Sequence, residues 1–190
     1  MNAINILIVG VGGQGTLLAS KLMGKIYIDL GFDVKVSEVH GMSQRGGSVV
    51  TYVRAGEKVF SPVIDLGEAD VIISFEALES ARWLPYLKTG GTIISNTAQI
   101  DPMPVIMGNA EYPENVLDKI KAAGANVISA DALSLAEQAG SAKAVNIVLL
   151  GMAAKALKLD YDECIDAIRA TVPAKTIEVN EKAFKLGFDL

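Results

Sequence analysis

Two stretches of the chain combine residue types and spacings that can do chemistry. The first is Gly10-Val11-Gly12-Gly13-Gln14-Gly15-Thr16, in which Gly10, Gly12 and Gly15 match G-x-G-x-x-G directly after an apolar run. Glycines so placed let a backbone approach a phosphate closely, and the amides from Gln14 onward, opening a helix, would face it. The bland alternative is a tight strand-to-helix turn with close packing and no ligand. A phosphate loop of the Walker type needs Lys after the last glycine, and Thr16 stands there, which disfavours nucleotide hydrolysis.

The second stretch, residues 37–54, places the only histidine, His40, near Gln44, Arg45, Gly46 and Gly47. Arg45 offers a planar fork of donors suited to a carboxylate or phosphate. Its competing role is an ion pair with Glu38 or with a partner carboxylate. His40 invites a general-base role, but with no identifiable acid or nucleophile beside it a hydrogen-bonding surface role is favoured. Glu38 follows the last glycine by about 20 residues, where a dinucleotide fold puts the acid that holds ribose hydroxyls. This keeps an NAD(P)-binding oxidoreductase using Gly10, Gly12, Gly15 and Glu38 open as an alternative. A third reading makes the loop a purely structural protein contact.

The elements that must position these residues read as α/β. Residues 4–9 form a continuous apolar run typical of a strand covered on both faces. Residues 16–30 carry Leu18, Leu22 and Ile26 at helical spacing, and Gly31 stops that helix. Strands are expected at 34–37, 47–54, 70–74, 91–95 and 126–129. The third follows the second too soon for a parallel crossover, so that pair is expected to be antiparallel or to occupy separate positions. A helix is expected at 77–87, packing Trp83, and another starting at Pro113 and Glu114. Asp101-Pro102-Met103-Pro104 breaks regular structure. Asp131 caps a helix that Gly140 ends, Ser141 caps a long apolar helix over 142–157, and Asp160 with Glu163 has capping-box spacing. Residues from 175 onward form a last helix. The pattern predicts a single three-layer domain over 1–190, with a Rossmann-like start and a mixed or mostly parallel sheet.

Composition narrows the function. The chain has 190 residues, 51% of them hydrophobic, and a formal charge of −5 without a basic run. Nucleic acid is therefore not an expected partner. No apolar stretch approaches the roughly 20 residues of a membrane span, and the N-terminus lacks a secretory pattern, which makes a cytoplasmic location the expectation. One cysteine, Cys164, cannot build a disulfide, a cluster site or a structural zinc site, and no metal ligand set is expected. Its neighbours Ile165 and Ile168 mark it as a small buried hydrophobe. Lys143 and Asn146, at the start of the long apolar helix, cap it or contact a partner, with the structural role favoured, and Asn180 has the same reading.

The glycine turn, the loop Ser37-Glu38-Val39-His40-Gly41-Met42-Ser43-Gln44-Arg45-Gly46-Gly47, and the later segments 146–151 and 180–187 together resemble one family. It is the gamma-type subunit of 2-oxoacid:ferredoxin oxidoreductases, most similar in its indolepyruvate branch, and the resemblance spans essentially the whole chain. It implies a subunit of an enzyme that converts a 2-oxoacid, coenzyme A and oxidised ferredoxin to acyl-CoA, CO2 and reduced ferredoxin. The chain lacks the Gly-Asp-Gly thiamine motif and any cysteine array, so thiamine diphosphate, Mg and 4Fe-4S clusters are expected on a larger partner subunit. By the same resemblance Gly10, Gly12, Gly13, Gln14, Gly15 and Thr16 are candidates for holding coenzyme A. Glu38, Gln44 and Arg45 are candidates for contact with the active site, and ferredoxin is reached through the complex.

Overall fold

The apolar run at the N-terminus becomes the strand β1 (Ile4–Val11), whose residues alternate between two cores. Ile6 and Ile8 point into one cluster, Leu7 and Val9 into the other, and all four are fully buried. This alternation requires cover on both faces of the sheet. The computed structural model describes residues 3–38, 43 and 46–190.

In chain order there follow α1 (Thr16–Asp29), β2 (Asp33–Glu38), β3 (Ser48–Gly56), β4 (Ala69–Ser74), α2 (Ala77–Trp83) and β5 (Leu87–Asn96). The second half holds α3 (Met103–Ile106), α4 (Val116–Ala122), β6 (Asn126–Ala130), α5 (Ala132–Ala139), α6 (Val145–Ala156), α7 (Tyr161–Thr171) and α8 (Ile177–Phe188). The strands form one six-stranded sheet in the order β2-β3-β1-β4-β5-β6. β1, β4, β5 and β6 run parallel, whereas β3 is antiparallel to both β1 and β2. Of the two arrangements expected for the second and third strands, the antiparallel pairing is the one present. The larger core lies between the sheet and α1, α5, α6, α7 and α8, the smaller between the sheet and α2 and α4. The result is the three-layer α/β domain. Among the described residues no helix is long and apolar enough to cross a membrane.

Local signals set most boundaries. Gly31, at φ 86°, lies beyond the end of α1, and the amide of Phe32 closes onto the Tyr27 carbonyl at 3.0 Å. Asp131 accepts from the Ser134 amide, and Gly140 ends α5 at φ 117°. Asp160 accepts from the amides of Asp162 and Glu163. Ser141 caps a short 3₁₀ turn, Ala142–Ala144, which precedes α6. Three expectations change. The helix expected over 77–87 is α2 followed by a 3₁₀ turn, Leu84–Tyr86, because Pro85 removes an amide from the continuing ladder. The helix expected from Pro113 begins at Val116, since Asn115 adopts φ 52° and resets the chain direction. The proline segment at 101–104 does not stay irregular: Pro102 caps the single turn α3, with Pro104 in its first turn.

α6 and α8 approach so closely that two glycines meet backbone. A Cβ on Gly187 would lie 2.0 Å from the Val148 carbonyl oxygen, and one on Gly151 would lie 2.3 Å from that of Phe184. Glycine in a helix interior costs about 1 kcal/mol relative to alanine. Here it permits backbone-to-backbone packing that no other residue allows. Gly151 and Gly187, within the two later segments of the family resemblance, are therefore packing residues.

Candidate functional site

The β1-to-α1 turn sits at the carboxyl end of the parallel strands, with the starts of α2 and α5 on the same edge. In open α/β sheets this is the edge where ligands bind. Gly13 and Gly15 adopt φ 102° and 85°, a region that L side chains rarely enter. A Cβ on Gly13 would meet nothing within 4 Å, so that glycine serves conformation and access rather than packing.

The other turn residues have structural work. Gln14 Oε1 accepts from the Val11 amide at 2.7 Å, and its Nε2 donates to the Phe75 carbonyl at 3.1 Å. Gly10 leaves room for this strut, since a Cβ there would lie 2.8 Å from Gln14 Oε1 and 2.9 Å from Phe75 Cβ. The Gln14 amide bonds the Val11 carbonyl and the Gly12 amide bonds the Gly47 carbonyl. The expectation that amides from Gln14 onward face a ligand is corrected in part. The amides of Gly13 and Gly15 have no partner among the described residues, while that of Gln14 is used within the turn. Thr16 is buried at the start of α1, whose first turn carries no acid to offset the helix dipole.

Two clefts flank the turn. One, of about 280 Å³, runs between Gly12, Gly13 and Thr16 and the β3 residues Val49 and Thr51. The other, of about 540 Å³, lies between Gly13, Gly15, Asn96, Lys143 and Asn146. Asn146 is 6% exposed; its Nδ2 donates to the Gly15 carbonyl at 3.4 Å and its Oδ1 is buried without a partner among the described residues. A buried acceptor left unpaired costs about 1–3 kcal/mol unless something donates to it. The favoured structural reading of Asn146 therefore covers only its amide nitrogen. Lys143 supplies an exposed cation at the rim.

Behind the turn lies a polar network that residue types alone did not reveal. Phe75 carbonyl accepts from both Gln14 and Asn96, and Asn96 Oδ1 accepts from the Ala132 amide. Glu76, 1% exposed, caps α2 through the Glu79 amide and also accepts from the Ile100 amide and the Tyr112 hydroxyl. Burial and the bond to Glu76 push the Tyr112 phenol well above its usual value, which keeps it a donor. Glu79 accepts from Ser48 and Arg82, tying α2 to the first residue of β3. Glutamate is not a favoured cap, and its partners lie far along the chain. Only the spacing of Glu76 and Glu79 across the start of a helix hints at a cap.

The remaining candidates divide. Glu38 ends β2 and accepts from Ser20 Oγ at 3.0 Å. Because β3 lies between β1 and β2, Glu38 stands a full strand further from the glycine turn than a dinucleotide fold requires, roughly 10 Å across two strand spacings. The NAD(P) alternative therefore lacks its acid. His40, Gln44 and Arg45 lie outside the described residues. Gly46 adopts φ 92°, as a turn before the strand needs, while Gly47 instead packs against Ser43. Cys164 is fully buried, and burial, with Asp160 and Glu163, pushes its thiol up to about 12. Such a thiol is inert. Among the described residues no three metal-ligating side chains gather, and with one cysteine the chain does not fit a 4Fe-4S cluster. Asn180 donates to the carbonyl of Thr176, the residue before α8, and Trp83 packs at a tilt against Tyr86.

Residues 5–190 match the model of the pyruvate ferredoxin/flavodoxin oxidoreductase family. The chain is 44% identical to indolepyruvate oxidoreductase subunit IorB of Thermococcus kodakarensis, over 98% of this chain and 95% of that one. With the subunit of the same name from Methanothermobacter thermautotrophicus it shares 36%, over 97% and 95%. Its fold is similar to the gamma subunit of a keto/oxoacid ferredoxin oxidoreductase from Geobacter sulfurreducens, with a TM-score of 0.73 at 22% identity over 98% and 96% of the two chains. It is equally similar, at 0.73 and 16% identity, to 2-oxoglutarate:ferredoxin oxidoreductase from Magnetococcus marinus, of which it covers 30%. That structure holds 2-oxoglutarate, coenzyme A and succinyl-CoA. The chain belongs to the pyruvate ferredoxin/flavodoxin oxidoreductase family, as one of its small oxidoreductase subunits.

Proposed function

We propose that the chain is the small subunit of a cytoplasmic, thiamine diphosphate-dependent oxidoreductase that turns an aryl pyruvate such as indolepyruvate, with coenzyme A and ferredoxin, into acyl-CoA, CO2 and reduced ferredoxin. The near full-length identity to subunits named for indolepyruvate supports the substrate class. Thiamine diphosphate, Mg and 4Fe-4S clusters belong to the larger partner in this reading, since the cysteine count and buried thiol described above give this chain no means to hold a cluster.

The chain's own part is to hold coenzyme A at the partner's active site. The observation that carries this is the cleft beside the glycine turn, where the amides of Gly13 and Gly15 have no partner among the described residues and Asn146, whose buried Oδ1 is unpaired, forms part of the wall. The amides of Gly13 and Gly15 suit a phosphate or carbonyl oxygen, and the dipole of α1 favours negative charge there. Asn146 Oδ1 is buried and lacks a donor, and in this reading the side chain turns toward the cleft to meet an amide N–H of the pantetheine arm. Lys143 offers charge to the phosphates. Gln44 and Arg45, on the loop ending at Gly47, would face the partner's cofactor, and Glu38 would steady that loop from its base.

The test is co-purification with a larger subunit carrying a thiamine motif and cysteine clusters, followed by assay of acyl-CoA formation from indolepyruvate. The reading expects turnover from the complex and none from the small subunit alone. Bound thiamine diphosphate and turnover in the isolated chain would overturn it.

A further inference from the structure

A second pocket, of about 360 Å³, opens at the opposite end of the sheet, between Ile4 and Ala55 of the strands, Tyr27 and Phe32 around the end of α1, and Leu157 and Leu159 beyond α6. Its walls are aliphatic and aromatic, and its size falls within the range of small-molecule sites. The glycine turn is at the other end of α1, whose 14 residues span about 20 Å, so the two sites are separate.

Tyr27 is 6% exposed and lines this pocket, with Phe32 edge-on at 6.0 Å. Its hydroxyl has no hydrogen-bond partner among the described residues. Burial, with Asp70 and Cys164, pushes the phenol up to about 12, so the oxygen stays protonated and able to donate. Asp70 also lines the pocket, but its carboxylate accepts from the Asn5 amide at 2.7 Å and pairs with Lys88. The lining carries one acid, Asp70, and one base, Lys158, so it favours neither an anion nor a cation, and the Tyr27 hydroxyl is its neutral donor.

Lys158 marks the pocket from outside. It adopts φ 56°, a conformation in which a non-glycine residue costs about 1–2 kcal/mol, and it closes α6 through its amide on the Lys155 carbonyl. A lysine where the turn favours glycine leaves a long side chain lining the pocket.

We infer that this pocket binds a small neutral aromatic or branched aliphatic molecule carrying one hydrogen-bond acceptor, with its apolar body against Phe32, Leu157 and Leu159 and its acceptor on Tyr27. The walls supply affinity through burial, and the hydroxyl supplies orientation. The site is independent of the proposed coenzyme A cleft.

Benzamide and toluene are suitable probes, because they share a ring and differ in the acceptor. In ¹⁵N-correlation spectra of the full chain, benzamide should saturate shifts at Tyr27, Ala55 and Leu159 with a Kd of about 1 mM or tighter. Tyr27→Phe keeps the shape and should weaken benzamide about fivefold, the worth of one neutral hydrogen bond, while leaving toluene unchanged. Leu159→Trp, which fills the pocket from a loop, should remove both. The inference fails if neither probe saturates by about 10 mM, if the shifts map elsewhere, or if Tyr27→Phe weakens both probes equally.

Discussion

Two pairs of glycines in this chain answer different physical demands. Gly151 and Gly187 sit inside helices and are hemmed by backbone, so any side chain would overlap a carbonyl. Gly13 and Gly15 sit in a turn with positive φ, and beside Gly13 there is open space. The first pair is needed by the fold. The second keeps backbone amides unpaired on the edge where open α/β sheets bind ligands, and under the proposed function it is the pair that faces coenzyme A.

The sharpest way to break this comparison is Gly187→Ala. The added Cβ has no room, α6 and α8 must part, and stability should fall by about 3 kcal/mol or more, lowering the melting temperature by roughly 10 °C. A melt within two or three degrees of wild type would contradict the packing role. Next in size is Glu76→Ala, which removes a cap and leaves the Ile100 amide and the Tyr112 hydroxyl without their acceptor. Urea unfolding should show a loss of about 2 kcal/mol, and Tyr112→Phe should cost less than that. Gly13→Ala sits on the other side of the comparison. It strains a positive φ, costing about 1 kcal/mol, yet meets no atom, so the chain should fold while the complex loses affinity for coenzyme A.

The smallest effect concerns pH. The Cys164 thiol is raised in the folded state, so the folded chain holds its proton where the unfolded chain releases it. Stability from this group is complete below pH 8 and declines as pH rises from about 9 toward 12, by about 1 kcal/mol at pH 10. Cys164→Ala should flatten that part of the alkaline decline in urea titrations, relative to its own value at neutral pH. An identical slope in both proteins would remove the argument.

The sequence revealed what is local and hid what is assembled. The first strand, the glycine turn and α1 were legible because periodicity and punctuation lie within a few residues of one another. The short distance between β2 and β3 leaves no room for a crossover, which excludes a parallel pair but not separate positions in the sheet. The consequence for Glu38 was not legible, since it depends on β3 inserting between β1 and β2. The sequence makes Gln14 a candidate ligand residue, whereas its side chain braces the turn against Phe75, 61 residues away. Asn146 reaches Gly15 across 131 residues, so its unpaired oxygen becomes visible only once α6 docks beside α1.

The central claim is that the turn and Asn146 hold coenzyme A for a reaction completed by a larger subunit. Steady-state kinetics of the purified complex, varying coenzyme A at saturating 2-oxoacid, test it most directly. Gly13→Ala and Asn146→Ala should each raise the KM for coenzyme A about tenfold, with subunit assembly and the KM for the 2-oxoacid unchanged. An intact complex in which both variants keep the wild-type KM for coenzyme A would contradict the account.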